Sequence, residues 1–378
     1  MKALRIGLVG SGFMGKAHAL AYRNVSGVFR LPVDVELELI ADASEEIAQR
    51  AARDLGFARA TGDWRALVAD ARVDIVSITA PNVLHVPIAA AAIAAGKHVH
   101  CEKPLAPTAE QARSLVSAAE QARVKTQVGF NYVKNPLIAL AREIIARGEI
   151  GEPVSFRGIH AEDYMADAAT PWHFRMDPAG GAGAIADLGS HIIAMARYLL
   201  GPIGEVCGHL DTVIAERPQA PGSARMRAVE VDDVAHALVR FARGCSGTIE
   251  ASWVAQGRKM QIEFEVVGSK GALAFSQERF NELRLYQVAG EGSRNGFRTI
   301  VAGPDHPPYG AFCPAPGHQL GFNDLKTIEM RDFLLDIAGE PHTRADFREG
   351  WEVQKAVDAI IRSARSRQWV RLEQDDVA

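Results

Sequence analysis

The chain has 378 residues, 48% of them hydrophobic and 23% charged, with a formal net charge of -4. That length accommodates two domains with more than one buried core, and the composition is that of an ordinary globular protein. No basic run suits a series of phosphates, no stretch approaches the roughly 20 apolar residues that span a bilayer, and the four cysteines form no CxxC, so nucleic acid, membrane insertion, a disulfide framework and a thiolate zinc site are not expected.

The apolar run Ile6–Gly10 is too short for a secretory signal and meets further glycines at once, which points to a cytoplasmic protein. In the first third, short apolar runs alternate with helical patterns. Strands are expected over Leu4–Val9, Val35–Ala41, Asp74–Thr79, Lys97–Cys101 and Thr126–Phe130. Helices are expected over Met14–Tyr22, Glu45–Leu55, Val86–Ala95 and Thr108–Arg123, the last opening on a capping box from Thr108 to Gln111. Such alternation implies a parallel sheet covered on both faces.

Beyond about residue 150 the pattern changes. Strands are expected over Val154–His160, Ile203–Ile214, Val234–Phe241, Gly247–Val254, Met260–Val267, Ala272–Phe275 and Leu283–Gln287. Turns at Ala242–Cys245 and Gly268–Gly271 make this a mostly antiparallel meander. A helix near Leu188–Leu200 interrupts it, residues 289–323 read as a long Gly- and Pro-rich loop, and helices near Asp324–Ile337 and Phe347–Arg367 close the chain.

Gly10, Gly12 and Gly15 fit G-x-G-x-x-G, leaving a strand and opening a helix. In a dinucleotide site the first glycine permits the tight turn, the second lets the backbone approach a pyrophosphate, and the third lets helix pack on strand. The helix start offers free N–H groups and a positive dipole end. The alternative is a glycine-rich turn with no ligand. Asp42 ends the second strand 30 residues past Gly12, and Asn24–Asp34 reads as an insertion that accounts for the excess. An acid there binds ribose hydroxyls and repels a 2′-phosphate, so NAD is favoured over NADP. A solvated strand-end aspartate is the alternative. Asp34, Glu36 and Glu38 alternate and are read as facing water.

Further motifs are TAPNVLH (Thr79 to His85), GKHVHCEKP (Gly96 to Pro104), NYVKNP (Asn131 to Pro136), GEIG (Gly148 to Gly151) and GGAGAIADLGSH (Gly180 to His191). Together with the glycine loop they resemble the Gfo/Idh/MocA oxidoreductase family over almost the whole chain. The resemblance implies an α/β protein: a Rossmann domain over 1–133, then an α+β domain over 134–378 with an open, mostly antiparallel sheet for substrate binding and oligomerisation. It implies that Gly10, Gly12, Phe13, Met14 and Gly15 hold the pyrophosphate and Asp42 the adenosine ribose. Thr79, Pro81, Asn82 and His85 would line the crevice near the cofactor, Glu102 would contact the nicotinamide ribose, and Asn131 would lie near the nicotinamide or substrate. Lys103, Asp187 and His191 would be the catalytic group.

The implied activity is hydride transfer between NAD and a hydroxyl carbon of a sugar, anhydrosugar or cyclitol. Two alternatives stay open: an NAD-dependent glycosidase using transient oxidation, and a non-catalytic NAD(P)-binding regulator. Alcohol oxidation needs a proton acceptor beside the hydride acceptor. Asp187 and His191, four residues apart, share one face if a helix begins there, and a His in the first turn is disfavoured as imidazolium. His191 then serves as base, Lys103 as electrostatic anchor and proton relay, and Asp187 as positioner. The alternatives are a solvated Lys before Pro, a helix-start acid and a buried structural His. His98, His100 and Cys101 cluster, but His98 and His100 share a strand face while Cys101 points away, so no metal is expected.

Two positions depart from the family pattern: Ala194 stands where an Asp is usual, and Lys134 where an Arg is usual. The resemblance makes Trp172 and Arg175 of PWHFRMD candidates for stacking on a sugar and gripping its hydroxyls, with core packing the alternative for Trp172. The loop His306–Gln319 resembles a subgroup acting on sugars or anhydrosugars, which would bring Tyr309, His318 and Asn323 to the substrate; otherwise it covers the sheet or meets another subunit. An apolar open face on the second sheet is expected to make the protein a homodimer or homotetramer.

Overall fold

Six runs of aliphatic and β-branched residues pair in parallel in the N-terminal part. They are β1 (Lys2–Val9), β2 (Val33–Ala41), β3 (Arg59–Thr61), β4 (Ile75–Ile78), β5 (His98–Cys101) and β6 (Thr126–Val128), in the order β3-β2-β1-β4-β5-β6. The computed structural model describes residues 2–181, 183–288, 292–343 and 345–373. Ala182 of the glycine cluster and residues 289–291 of the expected long loop therefore lie outside the described residues. The chain divides into two units, Met1–Lys134 with Gly321–Glu352, and Asn135–Leu320 with Val353–Ala378.

In the first unit the connecting helices are α1 (Phe13–Val28), α2 (Glu45–Leu55), α3 (Trp64–Ala69), α4 (His85–Ala94) and α5 (Ala109–Ala122). Ser44 caps α2 by accepting from the Ile47 N–H, and Thr108 caps α5 by accepting from the Gln111 N–H. Of the segment Asn24–Asp34, residues up to Val28 belong to α1 and those from Val33 to β2, so a long helix fills the spacing between Gly12 and Asp42. The short β3 and α3 escaped the sequence reading because neither is long enough to show a period.

Helix α6 (Pro136–Ala146) in the second unit was also missed, although Asn135 caps it from Leu137 N and proline opens it. There β7 (Pro153–Ala161), β8 (Ile203–Asp211), β11 (Val234–Phe241), β12 (Ser246–Ser252), β13 (Gln261–Gly268), β14 (Gly271–Ser276), β15 (Glu282–Gln287), β16 (Arg298–Val301) and β17 (Val370–Arg371) form one sheet. Its order is β16-β15-β14-β13-β7-β12-β11-β8-β17. Only the β7–β12 pair among these is parallel. Strands β9 (Glu216–Pro218) and β10 (Met226–Ala228) make a separate ribbon. Helix α7 (Ser190–Leu200) follows a π-helical turn, Ile185–Gly189.

Alternation sets the faces of the large sheet. Ala235, Ala237, Val239 and Phe241 of β11 are buried, while His236, Leu238 and Arg240 are exposed. The open face carries Arg157, His236, Glu250, Glu265 and Arg284, so the expected large apolar face is replaced by one of mixed charge.

Helix α8 (Phe322–Ala338) lies in the first unit, where Met330, Phe333 and Leu334 pack with Leu4, Ile6, Tyr22, Val25 and Ile75. Each such side chain contributes about 1.5–3 kcal/mol when buried. Segment 321–352 thus folds with the first unit, whereas a division into consecutive blocks 1–133 and 134–378 puts it in the second. Helix α9 (Phe347–Ser366) spans the point where the chain passes between units. Among the described residues no helix is long and apolar enough to cross a membrane.

Candidate active site

In a parallel sheet of this order the carboxyl ends of the strands gather on one edge, where ligands bind. Gly10 follows β1, Asp42 follows β2, Thr79 follows β4 and Glu102 follows β5. Gly10 has φ +95°, and a Cβ there would sit 2.9 Å from the Thr79 carbonyl oxygen. A Cβ on Gly15 would collide with the Gly10 carbonyl oxygen. A Cβ on Gly12 would meet nothing within 4 Å, so the space before the loop is clear. Gly12 is the N-cap of α1, no side chain caps the helix, and its first turn holds no acid, which leaves its N–H groups to an anion.

The loop is braced from several sides. The Thr79 hydroxyl lies 2.8 Å from the Gly10 carbonyl and 3.0 Å from that of Val9. Asp42 Oδ2 accepts from the Ser11 amide at 2.8 Å and the Ser11 hydroxyl at 2.5 Å, and Oδ1 accepts from the Ala43 amide at 2.7 Å. A carboxylate has further acceptor capacity, so these bonds leave room for ribose hydroxyls. Ser11 was not singled out in the sequence, though it lies inside the motif. Met14 is half-buried, and the exposed Phe13 ring stacks 5.7 Å from Phe322 of α8. Asn323, beside it, is exposed.

Pro81 is exposed and Asn82 opens a short 3-10 turn. His85 is buried, with Nδ1 2.7 Å from the Pro104 carbonyl and Nε2 2.9 Å from that of Ala80. It ties the loop after β4 to the loop that carries half-buried Lys103, and burial pulls its pKa down from 6.5. Glu102 is buried, and Asn131 is buried with no hydrogen-bond partner on Nδ2 among the described residues. An orphaned buried amide, a clear glycine cradle and an uncapped helix all fit a dinucleotide. Lys134 is buried in an ion pair with Asp332 at 2.7 Å and also donates to the Thr343 carbonyl, so it serves packing of the first unit. On β5, His98 Nδ1 accepts from the Lys125 amide, which removes it from any ligand set with Cys101.

In the second unit the structure brings Asp187 together with Arg175 and with Tyr164, which the sequence reading missed. Asp187 Oδ2 accepts from the Tyr164 hydroxyl at 2.6 Å and lies 3.2 Å from Arg175 Nε. Tyr164 is 40% exposed at its surface, yet the protein packed around its hydroxyl and then the charge of Asp187 raise the phenol above 10, and the hydroxyl donates to Asp187. The helical run starts at Ile185, not at Asp187, so buried His191 lies beyond the first turn. The helix end therefore does not explain a neutral His191, because its field fades within one turn. The ring of His191 lies 5.5 Å from that of His160, whose Nδ1 faces the Leu188 carbonyl and whose Nε2 faces Glu162, each at 2.9 Å. A π-helical turn shifts the side-chain register locally and is frequent at functional sites.

Asp232 anchors that turn. Its Oδ2 accepts from the Ile185 amide at 2.8 Å, and a Cβ on Gly183, which has φ +104°, would strike Oδ1. Trp172 is covered on one face by the Arg227 guanidinium, 3.2 Å from the ring centroid. Tyr309 is buried, and its hydroxyl serves its own loop by donating to the Ala315 carbonyl and accepting from the Gln319 amide. His318 is exposed in that loop.

The profile described as "Oxidoreductase family, NAD-binding Rossmann fold" matches residues 4–130, and the "GFO/IDH/MocA C-terminal domain" matches residues 138–274. A levoglucosan dehydrogenase from Pseudarthrobacter phenanthrenivorans is 40% identical, covering 99% of both chains. The chain belongs to the GFO/IDH/MocA oxidoreductase family. It is an NAD-binding oxidoreductase, and the glycine loop and strand order accord with that. A levoglucosan dehydrogenase solved in complex with NADH and levoglucosan superposes with a TM-score of 0.95 at 40% identity, over 99% of this chain and 100% of that one. An NAD-binding oxidoreductase from Klebsiella pneumoniae gives a TM-score of 0.94 at 45% identity, over 99% and 100%.

Proposed function

We propose that this chain oxidises one hydroxyl carbon of a levoglucosan-like anhydrosugar, with NAD⁺ as acceptor. The full-length 40% identity to a levoglucosan dehydrogenase carries the reading, because it extends over both units rather than the cofactor domain alone. Gly10, Gly12, Phe13, Met14 and Gly15 cradle the pyrophosphate, Asp42 takes the adenosine ribose, and Thr79, Pro81, Asn82, His85, Glu102, Lys103 and Asn131 serve the nicotinamide end. Bound NAD⁺ supplies the hydride acceptor.

The rest is work for side chains. The carbinol carbon loses a hydride and its oxygen a proton, leaving a ketone. His191 takes the proton, Lys103 stabilises the alkoxide as it develops, and Asp187 orients a ring hydroxyl. Tyr164 and Arg175 both hold Asp187 through Oδ2, which fixes the orientation of the carboxylate. Trp172, Tyr309 and His318 shape the surroundings of the sugar.

The test is incubation of purified protein with NAD⁺ and levoglucosan beside free sugars and inositols. Levoglucosan-dependent NADH formation is expected, and oxidation of an inositol or free pentose with levoglucosan inert would overturn the substrate assignment. We also assign the protein to the cytoplasm as a homodimer or homotetramer, paired through the mixed-charge open face of the large sheet. Light scattering showing a monomer would refute that pairing.

A further inference from the structure

We propose that Lys326 is a positioning residue for cofactor binding, holding the Glu102 carboxylate in one orientation and one charge state. The inference rests on the NAD-dependent reading above. Lys326 lies on α8 and Glu102 at the end of β5, 224 residues apart in sequence and both in the first unit.

The ammonium of Lys326 is 0% exposed. A buried cation persists only with partners that replace its water. It donates to Glu102 Oε1 at 2.5 Å and to Glu329 Oε2 at 2.8 Å. His18 of α1, also fully buried, reaches the same Glu102 Oε1 through Nε2 at 2.8 Å, while its Nδ1 meets the Ser77 hydroxyl at 2.8 Å. A carboxylate oxygen only accepts, so Nε2 carries the proton and Nδ1 accepts from Ser77. Two donors thus converge on Oε1. The other oxygen, Oε2, is turned to the Lys103 amide at 3.3 Å. Gly129 forms the floor, where a Cβ would come within 2.5–2.7 Å of the carboxylate.

Charge follows the same geometry. Burial alone would raise Glu102, yet the Lys326 charge and the His18 bond hold it well below the usual carboxylate range. Glu329 shares the ammonium but has no hydrogen-bond partner on Oε1 among the described residues, and burial pushes it up to about 7. Of the two carboxylates that share the ammonium, Glu102 is thus the better stabilised anion. The titratable groups around Glu102 are His18, His85, His100, Cys101, Lys103, Lys326 and Glu329. Burial holds His18 near 4 and His100 well below 6.5, so both rings are neutral. The ligand atoms of His18, His100 and Glu329 lie within 4.8 Å of one another, as in a metal site. The Lys326 ammonium, 3.4 Å from His18 Nε2, already supplies the cation there.

The experiment is a double-mutant cycle read by NADH fluorescence titration across pH. Lys326→Met is expected to weaken NADH binding about 10- to 100-fold, the loss of a hydrogen bond to a charged group, and to make it weaken further as pH falls. KM for NAD⁺ should rise more than KM for the sugar, and Lys326→Arg should recover part of the loss. Glu102→Gln combined with Lys326→Met should bind no worse than Glu102→Gln alone, because Lys326 acts through Glu102. If Lys326→Met by itself does not fold, that comparison still decides: a further tenfold loss in the double variant overturns the proposal. So does a Lys326→Met protein that matches wild type at every pH. A wild type that binds no NADH overturns the cofactor reading, and this proposal with it.

Discussion

Replacing Asp232 by Asn tests the anchor of the turn that carries Asp187. Burial, the largest influence, lifts this carboxyl from 3.8 to about 7, against the pull of its bonds from the Ile185 and Ala184 amides and with help from Asp233. The group is only 7% exposed, so solvent screens it little. A pKa raised on folding means that the native state binds the extra proton between about pH 4 and pH 7. The stabilisation is complete below about pH 4 and is lost as pH rises through 7. At about 1.4 kcal/mol per pH unit, the whole effect is about 4 kcal/mol, of which about 2–3 kcal/mol falls between about pH 5 and pH 8. Asparagine keeps an acceptor for the Ile185 amide and never ionises. Urea unfolding of wild type and Asp232→Asn at about pH 5 and about pH 8 should show the variant gaining about 2–3 kcal/mol on wild type at the higher pH. A difference that does not change with pH would refute the reasoning, and a variant losing ground at high pH would reverse it.

Lys103→Ala should abolish most turnover while NADH titration stays near wild type; undiminished turnover removes Lys103 from catalysis. Asp42→Ala should relax the preference for NAD over NADP, measured as the ratio of kcat/KM with each cofactor, and also loosen Ser11, which bonds to that carboxylate. Tyr164→Phe removes a 2.6 Å bond to Asp187 and should lower kcat/KM for the sugar about 10- to 100-fold with KM for NAD⁺ unchanged. An equal effect on both substrates would make Tyr164 a general packing residue.

Much of both units was legible because the signals are local. Val234–Phe241 and Glu45–Leu55 were read at their observed bounds, since alternation and caps lie within a few residues of each other. The glycine loop, Asp42, Thr79 and Glu102 were placed correctly at strand ends. The helix expected near Leu188–Leu200 has its helical run begin at Ile185, because a π-helical turn leaves no periodic trace in five residues. Tyr164 gave no signal at all: it lies 23 residues before Asp187, in a loop after β7.

The sequence by itself determined most of the longer strands and helices, the glycine turn and the places of Asp42, Thr79 and Glu102 at strand ends. Those depend on periodicity, capping and glycine φ, all of which act over one or two turns of chain. Only the tertiary structure decided that α8 belongs to the first unit and that Lys326 meets Glu102. In the sequence Lys326 and Glu329 are only a Lys and a Glu three residues apart, a spacing common to ion pairs on any helix. They are buried because the apolar residues around them close onto β1, β4 and α1, a contact no local pattern encodes. Desolvation then turns a surface-type ion pair into one that sets the charge of Glu102.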